Sequence, residues 1–155
     1  MEIKQTIRLR RLTAADTDLD EIARELNDSD SEVSVKKFTT GTLRDFLSIH
    51  GNFYLVAFIE GHIAGATHGY LHLHPAGPKY LYIDEVDTVK EFRRLGVASS
   101  MLREAFEIGR KLGASEAWVG TENDNEPAKA LYLGFSPSEI ENGPIYTYKL
   151  GEPTN

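Results

Sequence analysis

No cysteine occurs in the 155 residues, so neither a disulfide nor a thiolate nucleophile is open to this chain. Long apolar runs are also missing, and nothing approaches the ~20 residues of a membrane span. The first residues, Met1 to Arg8, alternate polar and apolar side chains and lack the apolar core of a secretory signal. A cytoplasmic protein is the expectation. Excess positive charge is lacking too: 17 Lys and Arg stand against 24 Asp and Glu, a net charge of -7. That speaks against nucleic acid, whose phosphates need a basic face. It suits a cationic partner, although acidity of this size first serves solubility. Repeats and low-complexity tracts are absent. What remains has an ordinary globular composition and is long enough for one domain with a real core.

Hydrophobic periodicity sets the order of elements. Residues 3–12 alternate as a strand. Thr13 is placed to cap a helix over 14–26. The segment 27–37 is polar, with Asp28, Asp30 and Glu32 close together. A helix is expected over 42–49. Strands over 53–59 and 63–72 are joined at Glu60-Gly61, a hairpin signal. After the breaker run His74-Pro75-Ala76-Gly77-Pro78 comes a strand over 80–89. Val97, Met101, Leu102, Ala105, Phe106 and Leu112 form the apolar face of a helix over 97–112, ended by Gly113. A short strand over 117–121, a helix over 127–133 and a last strand over 145–150 follow. One more strand is expected near 136–140. The layout is mixed α/β, one sheet covered by helices.

Between the strand over 80–89 and the helix from Val97 stands Glu91-Phe92-Arg93-Arg94-Leu95-Gly96-Val97-Ala98-Ser99. It puts two arginines, a glycine and small residues at a helix start. Helix N-termini carry unpaired N–H groups and the positive end of the macrodipole. A strand, a basic glycine turn and a helix together read as a pyrophosphate cradle. Neither a P-loop string nor a dinucleotide fingerprint occurs.

Arg93-x-x-Gly96-x-Ala98 resembles the acetyl-CoA loop of the GNAT superfamily of N-acyltransferases, Gln/Arg-x-x-Gly-x-Gly/Ala. A second stretch, Asn125-Glu-Pro-Ala128-Lys-Ala-Leu131-Tyr132, is similar to the superfamily's Asn-x-x-Ala-x-x-Leu-Tyr, and Gly134-Phe135 follows as in the family. The resemblance covers roughly residues 53–150. It implies a GNAT fold, a central mixed, mostly antiparallel sheet flanked by helices, with residues 1–150 as one acetyltransferase domain and 151–155 as a tail. One departure stands out. The family usually places a longer spacer between that Tyr and the Gly-Phe, and here only Leu133 intervenes. The shorter turn shifts the chain after Tyr132 and re-aims its side chain.

The chemistry implied is transfer of an acetyl group from acetyl-CoA to a primary amine, with no metal. The amine must lose its proton before it attacks, so a base is needed. By the resemblance, Val86, Asp87, Thr88 and Val89 would pair with the pantetheine arm, Thr88 through its main chain. Arg93, Arg94, Leu95, Gly96, Val97, Ala98 and Ser99 would hold the pyrophosphate. Asn125 and Ala128 would meet the cofactor, or Asn125 would cap a helix. Tyr132 would donate to the leaving thiolate, or stand as a core aromatic.

For the base, Tyr82-Ile83-Asp84-Glu85-Val86-Asp87 places three carboxylates in a strand expected to be central and largely buried, where acids are costly unless paired or functional. Asp84 and Glu85 point to opposite faces unless a bulge intervenes. An aspartate stands near this place in the aminoglycoside 3-N-acetyltransferases, which this chain resembles most. Glu85 is the expected base or amine-binding carboxylate and Asp84 the alternative, against a merely salt-bridged surface acid. His68, His72 and His74 are read as sharing a face without Tyr70, lining a cleft rather than binding a metal.

Glu122, Asp124 and Glu126, with Asp84, Glu85 and the acids of 28–32, are expected to bind a cationic amine. An acidic, solvated loop is the plainer reading. An aminoglycoside acetylated at the 3-N position is the leading substrate. Polyamines, small amino compounds and protein amines are alternatives, and a non-catalytic acetyl-CoA-binding module is the alternative of another class. A homodimer through residues 146–150 is the expected assembly if there is one.

Overall fold

The computed structural model describes residues 4–29 and 37–152, in two compact units, 1–122 and 123–155. In the first unit the strands are β1 (Arg8–Arg11), β2 (Phe53–Ile59), β3 (His62–Leu73), β4 (Lys79–Thr88) and β5 (Glu116–Val119). They lie side by side in chain order. The first four pair antiparallel and β5 joins β4 in parallel. This parallel pair needs a crossover connection, supplied by α3 (Val97–Lys111).

β2 is covered on both faces of the sheet, which explains why it reads Phe-Tyr-Leu-Val-Ala-Phe-Ile without alternation and is buried throughout. Tyr54, Val56 and Phe58 pack with Leu19, Ile22, Ala23 and Leu26 of α1 (Leu19–Asp28) and Leu43 of α2 (Thr40–Leu47). On the other face α3 buries Val97, Met101, Leu102, Ala105, Ile108 and Gly109. Gly109 sits against Leu81, and Gly65 against Val97 and Met101.

α1 starts later than the sequence suggests. Thr13 does not cap it, because the Thr13 N–H and hydroxyl both bond Asp16. The turn they make is tied to β1 by Arg10, which holds Asp16 and Asp18 at 3.0 and 2.6 Å. α2 runs two residues ahead of the expected 42–49, because Thr39 and Thr42 close a capping box that sets its start. Of the acids expected in 28–32, Asp28 ends α1 and is exposed, whereas Asp30 and Glu32 lie outside the described residues.

In the second unit α4 (Glu126–Leu133) is capped by Asn125, with Pro127 in its first turn. Residues 136–140 and 145–150 are not strands. Tyr146, Tyr148 and Leu150 keep a strand-like alternation, but nothing among the described residues pairs with them, and they stand exposed. Alternation specifies a face only when a neighbouring strand supplies hydrogen bonds.

Candidate active site

Two features of β4 build the site. The first is where β5 stops. β5 pairs with β4 only from Tyr80 to Ile83. Beyond that, residues 84–88 of β4 have β3 on one side and no strand among the described residues on the other. The Val89 N–H donates to Ala64 O, and Glu85 O accepts from the Thr67 hydroxyl at 2.6 Å. Glu85, Asp87 and Val89 therefore turn their main-chain groups towards β3. Val86 and Thr88 alternate with them and turn theirs to the open edge.

The second feature is a β-bulge. His68 of β3 pairs with Glu85 and the next residue, Gly69, pairs with Ile83, which leaves Asp84 as an extra residue. A side chain at Gly69 would run into Tyr82 O and Phe53, so only glycine lets β4 approach this closely. The bulge brings both carboxylates round the His68 ring. His68 Nε2 lies 3.2 Å from Glu85 Oε2, and Nδ1 lies 3.9 Å from Asp84 Oδ2. The ring is itself fixed, stacked on Tyr54 at 5.4 Å and edge-on to Phe46 at 5.7 Å. Thr67, fully buried, pins the Glu85 carbonyl from below.

The acids are not buried as expected. The side chains of Asp84 and Glu85 are 52% and 60% exposed, because their stretch of β4 is an edge and the bulge lifts them outward. Asp87 feels the cluster most. Its carboxyl is pushed above the ordinary carboxylate range by desolvation and by the Glu85 charge, against the pull of His68 and Arg93. The Tyr54 hydroxyl is likewise held well above its usual range, by burial first and then by Glu85 and Asp87. Histidine at 68 is thus the functional candidate that spacing alone undervalued. The signal was its cross-strand position, invisible until register is known.

The turn after β4 forms a short 3-10 turn at Lys90–Phe92 and then two left-handed residues, Arg94 (φ 63°) and Gly96 (φ 84°). The α3 N-terminus that follows has no side-chain cap, and the first α-type bond runs from Ser100 N–H to Gly96 O. The N–H groups of Val97, Ala98 and Ser99 therefore head the helix without an intrahelical carbonyl. Successive N–H groups in such a turn make an anion-binding concavity, and the helix dipole adds to it.

The histidine row also needs correction. Tyr70 is not excluded from it: Tyr70 pairs with Tyr82, and His72 with Tyr80, on one face. His74 lies past the end of β3, its Nδ1 accepting from the Ala76 N–H. Among the described residues no group of three acids or histidines is arranged to hold a metal.

In the second unit the Asn125 side chain accepts from the Ala128 N–H at 3.1 Å, so the geometry gives both residues the helix-start role. Tyr132 is half-buried on α4. The short segment behind it closes as two tight turns, from Phe135 N–H to Tyr132 O and from Ser136 N–H to Leu133 O. Glu126 is paired with Lys129 at 3.1 Å. Asp124 is exposed, as is Glu122 at the end of the first unit.

Comparison with known proteins gives the context. No curated protein matches the sequence. Among solved structures the fold is similar to an aminoglycoside acetyltransferase from an uncultured soil metagenomic sample, in complex with trehalose: TM-score 0.76 at 17% identity, covering 94% of this chain and 97% of that one. An aminoglycoside N-acetyltransferase AAC(6')-Iy in complex with CoA gives 0.75 at 13% identity, over 94% and 96%. A ribosomal-protein-alanine N-acetyltransferase from Brucella melitensis gives 0.69 at 14% identity, over 92% and 100%. At such identities the likeness speaks to the fold. The sequence profile of the acetyltransferase (GNAT) family matches residues 19–135, from α1 through the basic turn to the Gly-Phe after α4. The open edge, the uncapped helix and the profile agree, and the chain belongs to the acetyltransferase (GNAT) family.

Proposed function

We propose that the chain acetylates a primary amine of a small polycationic acceptor, with an aminoglycoside at its 3-N position as the leading substrate and polyamines, small amino compounds or protein amines behind it. The observation that carries this reading is the pairing of an open β4 edge with a carboxylate–histidine cluster raised on the bulge beside it. The profile match spans both units, which supports taking residues 1–150 as one catalytic domain, with 151–155 as its tail. A cytoplasmic location and a homodimer through residues 146–150 belong to the same proposal.

Acetyl-CoA supplies the acetyl group as a thioester. The residues fit it: Val86 and Thr88 offer an amide-bearing arm main-chain groups that no strand among the described residues takes up. Val97, Ala98 and Ser99 offer N–H groups to phosphate, and Arg93 and Arg94 add charge. Leu95 and Gly96 shape the turn. Asp87 and Val89 face β3, so their share is to keep the edge straight.

Glu85 Oε2 takes a proton from the acceptor ammonium. His68 Nε2 holds that carboxylate in place, and Asp84 offers a second negative oxygen for the ammonium to approach. The family resemblance assigns Tyr132 Oη the proton for the leaving sulfur. Glu122, Asp124 and Glu126 are further acids that would attract a cationic acceptor.

The test is thiol release from acetyl-CoA across kanamycin- and gentamicin-type compounds, spermidine, amino acids and basic peptides. The chain has no cysteine to add background. Glu85→Gln is expected to lower kcat on the best acceptor at least about 100-fold, the low end of general-base catalysis, with the KM for acetyl-CoA little changed. Wild-type turnover in Glu85→Gln would remove it as the base. Product NMR reads the acetylated position, and acetylation away from the 3-N nitrogen would overturn that part.

A further inference from the structure

The bulge does not end the chemistry of this sheet face. Towards the N-terminal end of β4 the same face carries aromatic rings in two tiers. Tyr70 and Tyr82 face each other across β3 and β4, ring centroids 5.2 Å apart. One pleat further on, Tyr80 stacks on Trp118 of β5 at 4.6 Å and 18°, and His72 closes a three-ring cluster at 6.1 Å from Tyr80 and 6.3 Å from Trp118. Cross-strand pairing sets Tyr70 opposite Tyr82 and His72 opposite Tyr80, and Trp118, which stands opposite Tyr82, leans diagonally onto Tyr80 to join the second tier.

These rings are not core. α2 covers the face as far as Phe46 on His68, and Tyr70 and Trp118 beyond it are 41% and 44% exposed. Aromatic surface left in water costs hydration free energy, and a row of partly exposed rings suits a planar or ring-shaped ligand. Trp118 is also fixed: its indole N–H donates to Glu116 Oε2 at 2.9 Å.

Charge selects the ligand further. Asp84, Glu85 and Asp87 stand at one end of this face, and Glu116, opposite Tyr80, at the other. The tiers lie about 7 and about 13 Å along the strand from Asp84, at two residues per pleat. That span fits a chain of linked rings and is too long for a single small amine. Tyr and Trp faces also attract ammonium groups.

We propose that the Tyr70–Tyr82 and Tyr80–Trp118 tiers are an acceptor subsite for linked, amine-bearing sugar rings. The apolar C–H faces of the rings lie on the aromatic faces, their ammonium groups sit over the rings or against Glu116, and one terminal amine reaches Glu85. The subsite rests on the reading of Glu85 as the amine-facing carboxylate and names what binds beside it. Tyr82 and Trp118 are positioning residues in this scheme.

Trp118 is the only tryptophan of the chain, so its emission reports this surface directly. Kanamycin added to the full-length protein is expected to change that emission saturably. Spermidine, a polycation without rings, leaves it unmoved. Tyr70→Ser, at an exposed position, raises the apparent Kd for kanamycin at least tenfold, with folding checked by circular dichroism. In thiol release, Trp118→Ala lowers the kanamycin-over-spermidine ratio of kcat/KM at least tenfold, through KM rather than kcat. Emission unmoved by kanamycin overturns the subsite whether or not thiol is released. An equal response to spermidine overturns the ring-stacking reading. Emission that responds, with no thiol released from any amine, keeps the subsite and overturns acetyl transfer instead.

Discussion

Asp87 shows how one residue records the charge around it. Its carboxyl is raised because desolvation and Glu85 both disfavour the ionised form more than His68 and Arg93 favour it. A raised acid weakens the folded state fully at pH values above its folded pKa, and the penalty fades as the pH falls from there to the unfolded carboxylate pKa of about 4. Asp87→Asn is therefore expected to raise the melting temperature at pH 7, and the gain to shrink as the pH falls through the upper carboxylate range. A gain that is constant with pH would show that Asp87 is not the strained group. Thr67 acts the other way, as an anchor, since its buried hydroxyl donates to Glu85 O. Thr67→Val keeps the shape and leaves that carbonyl without the bond, at a cost of about 1–3 kcal/mol for an unsatisfied buried group. Chemical denaturation should read this loss, and kcat should fall more than the KM for acetyl-CoA, because the bulge that aims Glu85 loosens.

At the scale of elements, the α3 N-terminus depends on backbone conformation more than on side chains. Gly96 is left-handed, and a Cβ there would meet nothing within 4 Å. Gly96→Ala therefore acts through backbone strain alone, about 1–2 kcal/mol. The expected outcome is a lower melting temperature and a weaker hold on acetyl-CoA, measured calorimetrically, with the Glu85 cluster intact. Unchanged affinity would mean that Arg93 and Arg94 dominate the phosphate contacts. The elements were largely legible in sequence: the β2–β3 hairpin, α3 and the basic turn stand close to where periodicity and glycine placed them. The register was not. The bulge at Asp84 arises from the close approach of β4 at Gly69, a contact between residues far apart along the chain.

For the whole molecule, the tie from β1 to the turn before α1 sets part of the acid stability. Arg10 is held above its ordinary value, by the Asp18 hydrogen bond first. Asp18 is pulled below the usual carboxylate range by Arg10. Asp16 is pushed up by burial but ends lowered, by its bonds from Thr13 and Arg10. Depressed acids stabilise the fold above the unfolded carboxylate pKa of about 4, and this is lost as the pH falls through their lower folded values. Arg10→Ala is expected to cost up to about 1 kcal/mol at pH 7, since the pair is partly exposed and screened. The difference from wild type should vanish below the carboxylate range, as followed by denaturation at stepped pH.

By itself the sequence determined the class of layout, the helix that starts after a basic glycine turn, and the two motifs that carry the family. Those signals are local, written within one turn or one pleat of the backbone. Only the tertiary structure decided the rest. It ended β5 beside Ile83 and so opened the β4 edge, and it turned Asp84 and Glu85 onto His68. It put Tyr70 in the aromatic row and left residues 145–150 without a strand partner among the described residues. Each of these depends on which distant strand lies alongside, and hydrogen bonds between strands are fixed by pairing rather than by the residues of either strand alone.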